Sequence, residues 1–308
     1  MLDSEINELR SPVAVVAHDA GAANLIISWL RDRNDLDLRV SLGGPATRLW
    51  HNEFGDVANL SFDEALKGAT SLISGTSHSD DREHKARQLA RQCGTHSVGV
   101  IDHWVNYPER FKWGGIQILP DEIWVADRYA FGIAKQCFPH STIKQLKNRY
   151  MEQVVKAVHR HSRGQKPIMP PARVLYLLEP IRHAWASGGL AGEFQALDFF
   201  VQHMNYLGIT KATELRLRPH PSDSEGKYLS WMNRSCFLKV TIDPETTLEE
   251  SIAWADMVLG CETFGLAIAH YAGRPTVSTL PSHAPRCRLP LDSIIHLKDL
   301  VTGTGAEN

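Results

Sequence analysis

Short apolar runs that stop at turn residues and lead into stretches of helical spacing recur along the chain. Val13 to Ala17 is a continuous apolar run, followed by His18-Asp19-Ala20-Gly21-Ala22-Ala23-Asn24 and an apolar helix from Leu25 to Leu30. Leu36 to Leu42 reads as a strand ending at Gly43-Gly44-Pro45, and Ser71 to Ser74 as a strand ending at Gly75. A charged helix from Asp80 to Cys93, a strand from His96 to Ile101, a strand from Glu122 to Ala126 and a helix from Arg128 to Cys137 follow. Ile143 to Leu146 is a further strand, entering a helix that starts at about Asn148 and extends to His159. Such alternation predicts a parallel sheet with helices on both faces. The first turn lacks GxGxxG spacing, so a dinucleotide fingerprint is absent.

From His159 to Lys166 the apolar period is lost, and Pro167, Pro170 and Pro171 follow, which reads as an interdomain linker. The expected domains are therefore residues 1–160 and 171–308. The second half restarts with a strand from Arg173 to Leu178 that ends at Glu179-Pro180, then helical spacing from Glu193 to Leu207. Gly226 to Met232 reads as a short helix, Phe237 to Ile242 as a strand, and Thr247-Leu248-Glu249-Glu250 as a capped helix start. Two stretches organise this half. Leu215-Arg216-Leu217-Arg218-Pro219-His220-Pro221 is an alternating strand that its prolines must end, leaving His220 in the loop at the carboxyl end. Ala255 to Ser278 reads strand, tight turn at Glu262-Thr263-Phe264-Gly265, apolar helix, Gly stop and strand. Ligands of open parallel sheets bind outside the carboxyl ends of strands, so His220 and the amides around Glu262 and Thr263 are expected to face one crevice.

Composition narrows the class rather than the function. A chain of 308 residues, 43% apolar and 22% charged, suits two domains with sizeable cores. A net charge of −2 gives no support to nucleic-acid binding. The five cysteines form no CxxC pair, and no run approaches the length of a membrane span, so a cytoplasmic protein is expected.

Two βα domains joined by a Pro-rich linker resemble the glycosyltransferase B fold, that is, two Rossmann-like parallel-sheet domains with a cleft between them. More narrowly, Arg218-Pro219-His220-Pro221 is similar to the His-Pro motif of bacterial sialyltransferases and related Kdo and polysialic acid transferases. The resemblance implies a metal-independent glycosyltransferase without a cofactor. Its donor would be a nucleotide sugar, CMP-activated by preference, and its acceptor a glycan of surface polysaccharide synthesis, with peripheral membrane association through a lipid-linked acceptor. It implies nucleotide contacts at Arg218, His220, Glu262, Thr263, Phe264 and Gly265. Glu262-Thr263 stands where those enzymes carry a Ser-Ser or Ser-Thr pair, and a carboxylate beside a phosphate is repulsive. The acidic-acidic-Gly motif of the group is met in part by His18-Asp19-Ala20-Gly21, which makes Asp19 the candidate general base with His18 orienting it.

Each residue also has a structural reading. Asp19 could be the N-cap of the following helix, Thr263 could cap its helix rather than hold phosphate, and Glu262 could be a ribose or base ligand or an acidic cap partner. Asp102 and His103 are a second acid/base candidate, with Trp104, Tyr107 and Asn24 as an acceptor surface. His78, Asp80, Asp81 and His84 have the composition of a metal site, but no zinc spacing, and read as a solvated helix start. Asp102-His103-Trp104 is also similar to a turn of the UDP-sugar hydrolases of the pseudaminic acid pathway, so a nucleotide-sugar hydrolase or epimerase is the alternative in the same fold. A non-catalytic nucleotide-sugar-binding protein is the alternative from another class.

Overall fold

The computed structural model describes residues 6, 8–186, 188–235 and 239–303. The chain divides into two compact units, Met1–Tyr150 and Met151–Asn308.

The first unit is built on β1 (Val13–Ala17), β2 (Leu38–Leu42), β3 (Ser71–Ser74), β4 (His96–Ile101), β7 (Glu122–Val125) and β8 (Thr142–Gln145), with a two-stranded hairpin of β5 (Lys112–Trp113) and β6 (Ile116–Gln117) apart from the sheet. The strand order is β2-β1-β3-β4-β7-β8, and every pair is parallel. β1 lies between β2 and β3, with Val15 opposite Val40 on one side and Ile73 on the other. Both faces of β1 are covered, which is why its sequence is continuously apolar rather than alternating. Helix 20–30 begins five residues earlier than the sequence suggests, because the small residues Ala20 to Asn24 belong to its first turns. The helix Gly44–Phe54 was read as a stop at Gly43-Gly44-Pro45. Pro45 lies in its first turn, where the missing N–H has no partner to lose.

The second unit holds β9 (Arg173–Leu177), β10 (Glu214–Arg218), β11 (Lys239–Ile242), β12 (Met257–Gly260), β13 (Thr276–Ser278) and β14 (Ile295–His296), in the parallel order β11-β10-β9-β12-β13-β14. Phe237 and Leu238, where the β11 strand was expected to start, lie outside the described residues. Helix 248–254 starts with the expected cap: Thr247 accepts from the Glu250 amide, and the Glu250 side chain returns to the Thr247 amide. Tyr176, Phe200, Trp231 and Leu259 fill the core. Both units are thus Rossmann-like parallel sheets covered by helices. Among the described residues, no helix is long and apolar enough to cross a membrane.

Candidate functional site

Each sheet has a point where the chain changes direction across it, and such sheets bind ligands there, outside the carboxyl ends of two neighbouring strands. In the first domain those strands are β1 and β3. His18 and Asp19 leave β1 at this point. Asp19 occupies the N-cap position of helix 20–30, yet its carboxylate caps no amide. It takes hydrogen bonds from His18 Nδ1 at 2.7 Å and from Ser79 Oγ at 3.0 Å instead. A carboxylate only accepts, so Nδ1 carries the proton and the lone pair of the neutral ring stands on Nε2. The two side chains are 19% and 47% exposed, so the pair is reachable from solvent.

Beneath it lies Glu83, 1% exposed. Its Oε1 accepts the His18 amide at 2.9 Å, and its Oε2 accepts the Ser77 amide. One buried carboxylate therefore ties the loops after β1 and β3. Ser77 Oγ reaches Ser79 Oγ at 2.9 Å, and Ser79 reaches Asp19, which closes a ring of hydrogen bonds around the pair. Burial pushes the Glu83 carboxyl up to about 7, against the pull of the Ser77 amide, Arg87 and the His18 amide. Arg87, 2% exposed, donates to Ser74 Oγ and Gly75 O, and burial brings it down to about 10.

Asp102 follows β4 and accepts Arg110 Nη1 at 2.7 Å, and the same nitrogen reaches Thr76 Oγ1 at 3.2 Å. Its carboxylate packs on Gly21 in the first turn of helix 20–30, so that a Cβ on Gly21 would fall 1.6 Å from Oδ2. Gly21→Ala is therefore expected to expel Asp102 and to lower stability in urea unfolding by about 1–3 kcal/mol. Adding Asp102→Ala should recover most of that loss, and a loss unchanged in the double variant would rule out this contact as its cause.

Two residues expected on an acceptor surface serve the interior instead. Trp104 and Tyr107 are 7% and 2% exposed. Trp104 Nε1 donates to the Asp127 carboxylate, and the Tyr107 hydroxyl to Ala130 O. Burial raises the Tyr107 phenol far above its ordinary range. An Asp-His-aromatic turn looks polar in sequence, but aromatic rings this size are held by packing wherever a core can reach them. His103 meets Trp104 edge-on, with ring centroids 5.2 Å apart, and Asn24 is half-buried on helix 20–30. Asp80 pairs with Arg82, Asp81 with Lys85, and His84 is buried. Among the described residues, no group of three His, Cys, Asp or Glu side chains is placed to hold a metal ion.

In the second domain the switch point lies between β9 and β12. Glu179 leaves β9, and Glu262 and Thr263 leave β12. Thr263 is the N-cap of helix 264–271, accepting the Gly265 amide at 3.3 Å. Gly265 lies so close to β9 that a Cβ would meet Leu177 Cδ1 at 2.6 Å, and Phe264 opens the helix half-buried. The amides of this turn are not free. Glu179 Oε2 accepts the Glu262 amide at 2.7 Å, and the amides of Cys261 and Thr263 also face its carboxylate and pull its pKa down. Burial pushes Glu179 up to about 7, with the neighbouring Glu262 adding to the rise. Glu262 itself does not cap the helix: Arg288 grips it, Nε at 3.2 and 3.1 Å from its two oxygens and Nη2 on Oε1. Glu179, Glu262 and Arg288, with Trp185, Leu280 and Pro285, line a pocket of about 430 Å³.

β10 ends beside this point. Arg218 is spent on the protein, donating to Asp243, Ser251 and the carbonyls of Glu245 and Thr246. It joins β10 to β11 and helix 248–254. His220 is exposed, in a turn fixed by Asp223, which takes the His220 amide at 3.0 Å, Lys227 Nζ at 2.6 Å and the Tyr228 hydroxyl at 2.9 Å. The Ser222 amide donates to His220 Nδ1 at 3.2 Å, so the ring proton stands on Nε2. Sequence reasoning missed Glu83, Arg288 and the place of Glu179 in the nest of amides. Glu179 carried a signal as the residue after an apolar strand, but Glu83 and Arg288 carried none of their own.

No protein-family model matches the sequence, and no curated protein matches it. Among solved structures, the UDP-GlcNAc 2-epimerase of Neisseria meningitidis, bound to UDP-GlcNAc, is 11% identical, with a TM-score of 0.59 over 95% of this chain and 90% of that one. The UDP-N-acetylglucosamine 2-epimerase of Rickettsia bellii is 10% identical, with a TM-score of 0.53 over 87% of this chain and 79% of that one. The chain shares their fold. At such identities the likeness concerns architecture, two Rossmann-like domains of the glycosyltransferase B type, and function has to be argued from the residues.

Proposed function

We propose that this protein is an enzyme of nucleotide-activated sugars that transfers the sugar to a glycan acceptor. The observation that carries the reading is the pocket at the β9/β12 switch point, where carboxylates, a guanidinium and an indole converge. Arg288 neutralises Glu262 and burial pushes Glu179 up to about 7, so the two carboxyl groups suit the hydroxyl groups of a ribose or sugar ring, with Trp185 as an apolar wall. The donor's phosphate falls to Arg288 and to the Nε2–H of His220. The base is the His18–Asp19 pair. Nδ1–H donates to Asp19, so His18 Nε2 is the atom that takes the acceptor's proton, and Asp19 holds the tautomer and balances the imidazolium that forms. This reverses the roles assigned from sequence, where Asp19 was the base. The His-Pro motif favours a CMP-sugar, and an acceptor carried on a lipid would bring the enzyme to a membrane surface.

The second reading, hydrolysis or epimerisation of a nucleotide sugar, is favoured by Glu262 in place of a hydroxyl pair. A thermal-shift panel of CMP, CDP, UMP, UDP, GDP and ADP tests the common part of both. A nucleotide at 100 times its Kd adds about 2.7 kcal/mol to stability, and silence across the panel would end the proposal. His220→Ala is expected to weaken the responding nucleotide by about 1–3 kcal/mol without unfolding the protein. Incubation with the matching nucleotide sugar separates the readings: release of nucleotide only when a glycan is present marks a transferase, and release or isomerisation without one marks the alternative. Binding without either marks a non-catalytic protein.

A further inference from the structure

The basic stretch from His159 to Lys166 takes no part in the proposed reaction, yet it lines a second pocket of about 500 Å³. The pocket is formed by the end of helix 149–162, the loop through Gly164, Gln165, Lys166 and Pro167, and Ala272, Gly273 and Arg274 after helix 264–271. Pro167 and Arg274 precede β9 and β13, so it opens at the amino ends of the strands, the opposite end of the sheet from Glu179 and Glu262.

Its charge is one-sided. No Asp or Glu lines it. Arg274 is only 4% exposed, and its Nε is buried with no hydrogen-bond partner among the described residues. Among the described residues, one hydrogen bond, Nη2 to Ala253 O at 3.0 Å, serves the whole guanidinium. A buried guanidinium left this poorly satisfied is costly unless something else reaches it. His159 Nε2 donates to Ala272 O at 3.2 Å, so Nδ1 holds the lone pair of the neutral ring and donates to an anion once the ring is protonated. The carboxylate acting on Arg274, Asp256, is already paired with Arg173 at 2.9 Å. Two helix carboxyl ends also border the pocket, and together they bring a partial charge of about −1. Arg274 and Lys166 bring two full positive charges, so the site stays cationic, and more so when His159 is protonated.

We propose that this pocket binds a phosphate group, of inorganic phosphate or of a small phosphorylated metabolite, on Arg274, Lys166 and His159. The full chain is tested by thermal unfolding in sodium phosphate, in glycerol 3-phosphate and in sodium chloride at equal ionic strength. Both the native protein and an Arg288→Ala background are used, so that phosphate held by the switch-point guanidinium does not contribute. A saturable rise in midpoint with phosphate, kept in the Arg288→Ala background, is expected. Lys166→Ala or His159→Ala should then raise the half-saturating concentration by about tenfold, the loss typical of one charge-assisted contact. A larger effect of glycerol 3-phosphate than of phosphate assigns the site to an organic phosphate, and an equal effect assigns it to the free ion. Arg274→Gln should abolish the response; because Arg274 is buried and this variant risks unfolding, the exposed positions Lys166 and His159 keep the test decisive. A response that is absent, that disappears with Arg288→Ala alone, or that survives the Lys166 and His159 variants unchanged overturns the proposal.

Discussion

Asp19→Asn is expected to cost turnover about 100-fold or more while leaving nucleotide affinity nearly unchanged, the scale of lost general-base catalysis. Asparagine can still accept the Nδ1–H of His18, so the ring should keep its place. What it removes is the negative charge that stabilises the imidazolium once Nε2 has taken a proton. His18→Gln should lose a similar amount. Because the two groups act as one unit, the double variant should be little worse than either single one. Asp102→Asn is the informative contrast, since that carboxylate is occupied by Arg110 and packed on Gly21. If Asp19→Asn turns over normally and Asp102→Asn is dead, the base is Asp102 and the hydrolase-like reading gains. If both variants remain active, the first domain does not supply the base.

The neighbours His18 and Asp19 could be read from sequence because they sit side by side where an apolar strand must stop. Parallel strands were legible for the same reason: buried on both faces, β1 and β12 are written as continuous apolar runs. Helix 44–54 was not, because Gly-Gly-Pro marks a turn and a helix start with the same residues. Glu83 was hidden more thoroughly. It lies among the charges of a helix that reads as solvated, and its burial exists only because the loop after β1, 65 residues earlier, is brought over it. Arg288 likewise meets Glu262 across 26 residues with no periodic pattern between them. A turn with a carboxylate where a phosphate site was expected was visible as an anomaly. That Glu179 fills the amides and Arg288 neutralises Glu262 is a property of the folded chain.

Glu83 also makes a prediction about pH. Its carboxyl is about 7 in the folded protein against an ordinary 4.5, so the native state holds a proton that the unfolded chain has released between those values. Stability from this group is therefore full below about pH 4.5 and is lost as pH rises through about 7, by on the order of 3 kcal/mol. Other groups titrate in the same range; burial lowers His84, His270 and His296, which lose stability as pH falls. The wild type alone therefore does not isolate the effect, and the comparison with Glu83→Gln does. Glutamine has one acceptor oxygen for two backbone amides, those of His18 and Ser77, so the variant should be less stable at pH 5 by about 1–3 kcal/mol. It carries no titrating proton, so the gap to the wild type should narrow steadily in urea unfolding between pH 5 and pH 8. A gap that stays constant would mean that Glu83 is ionised throughout, held by its two amides and by Arg87. In that case the buried charge, rather than a buried proton, is what joins the loops that carry His18 and Ser77.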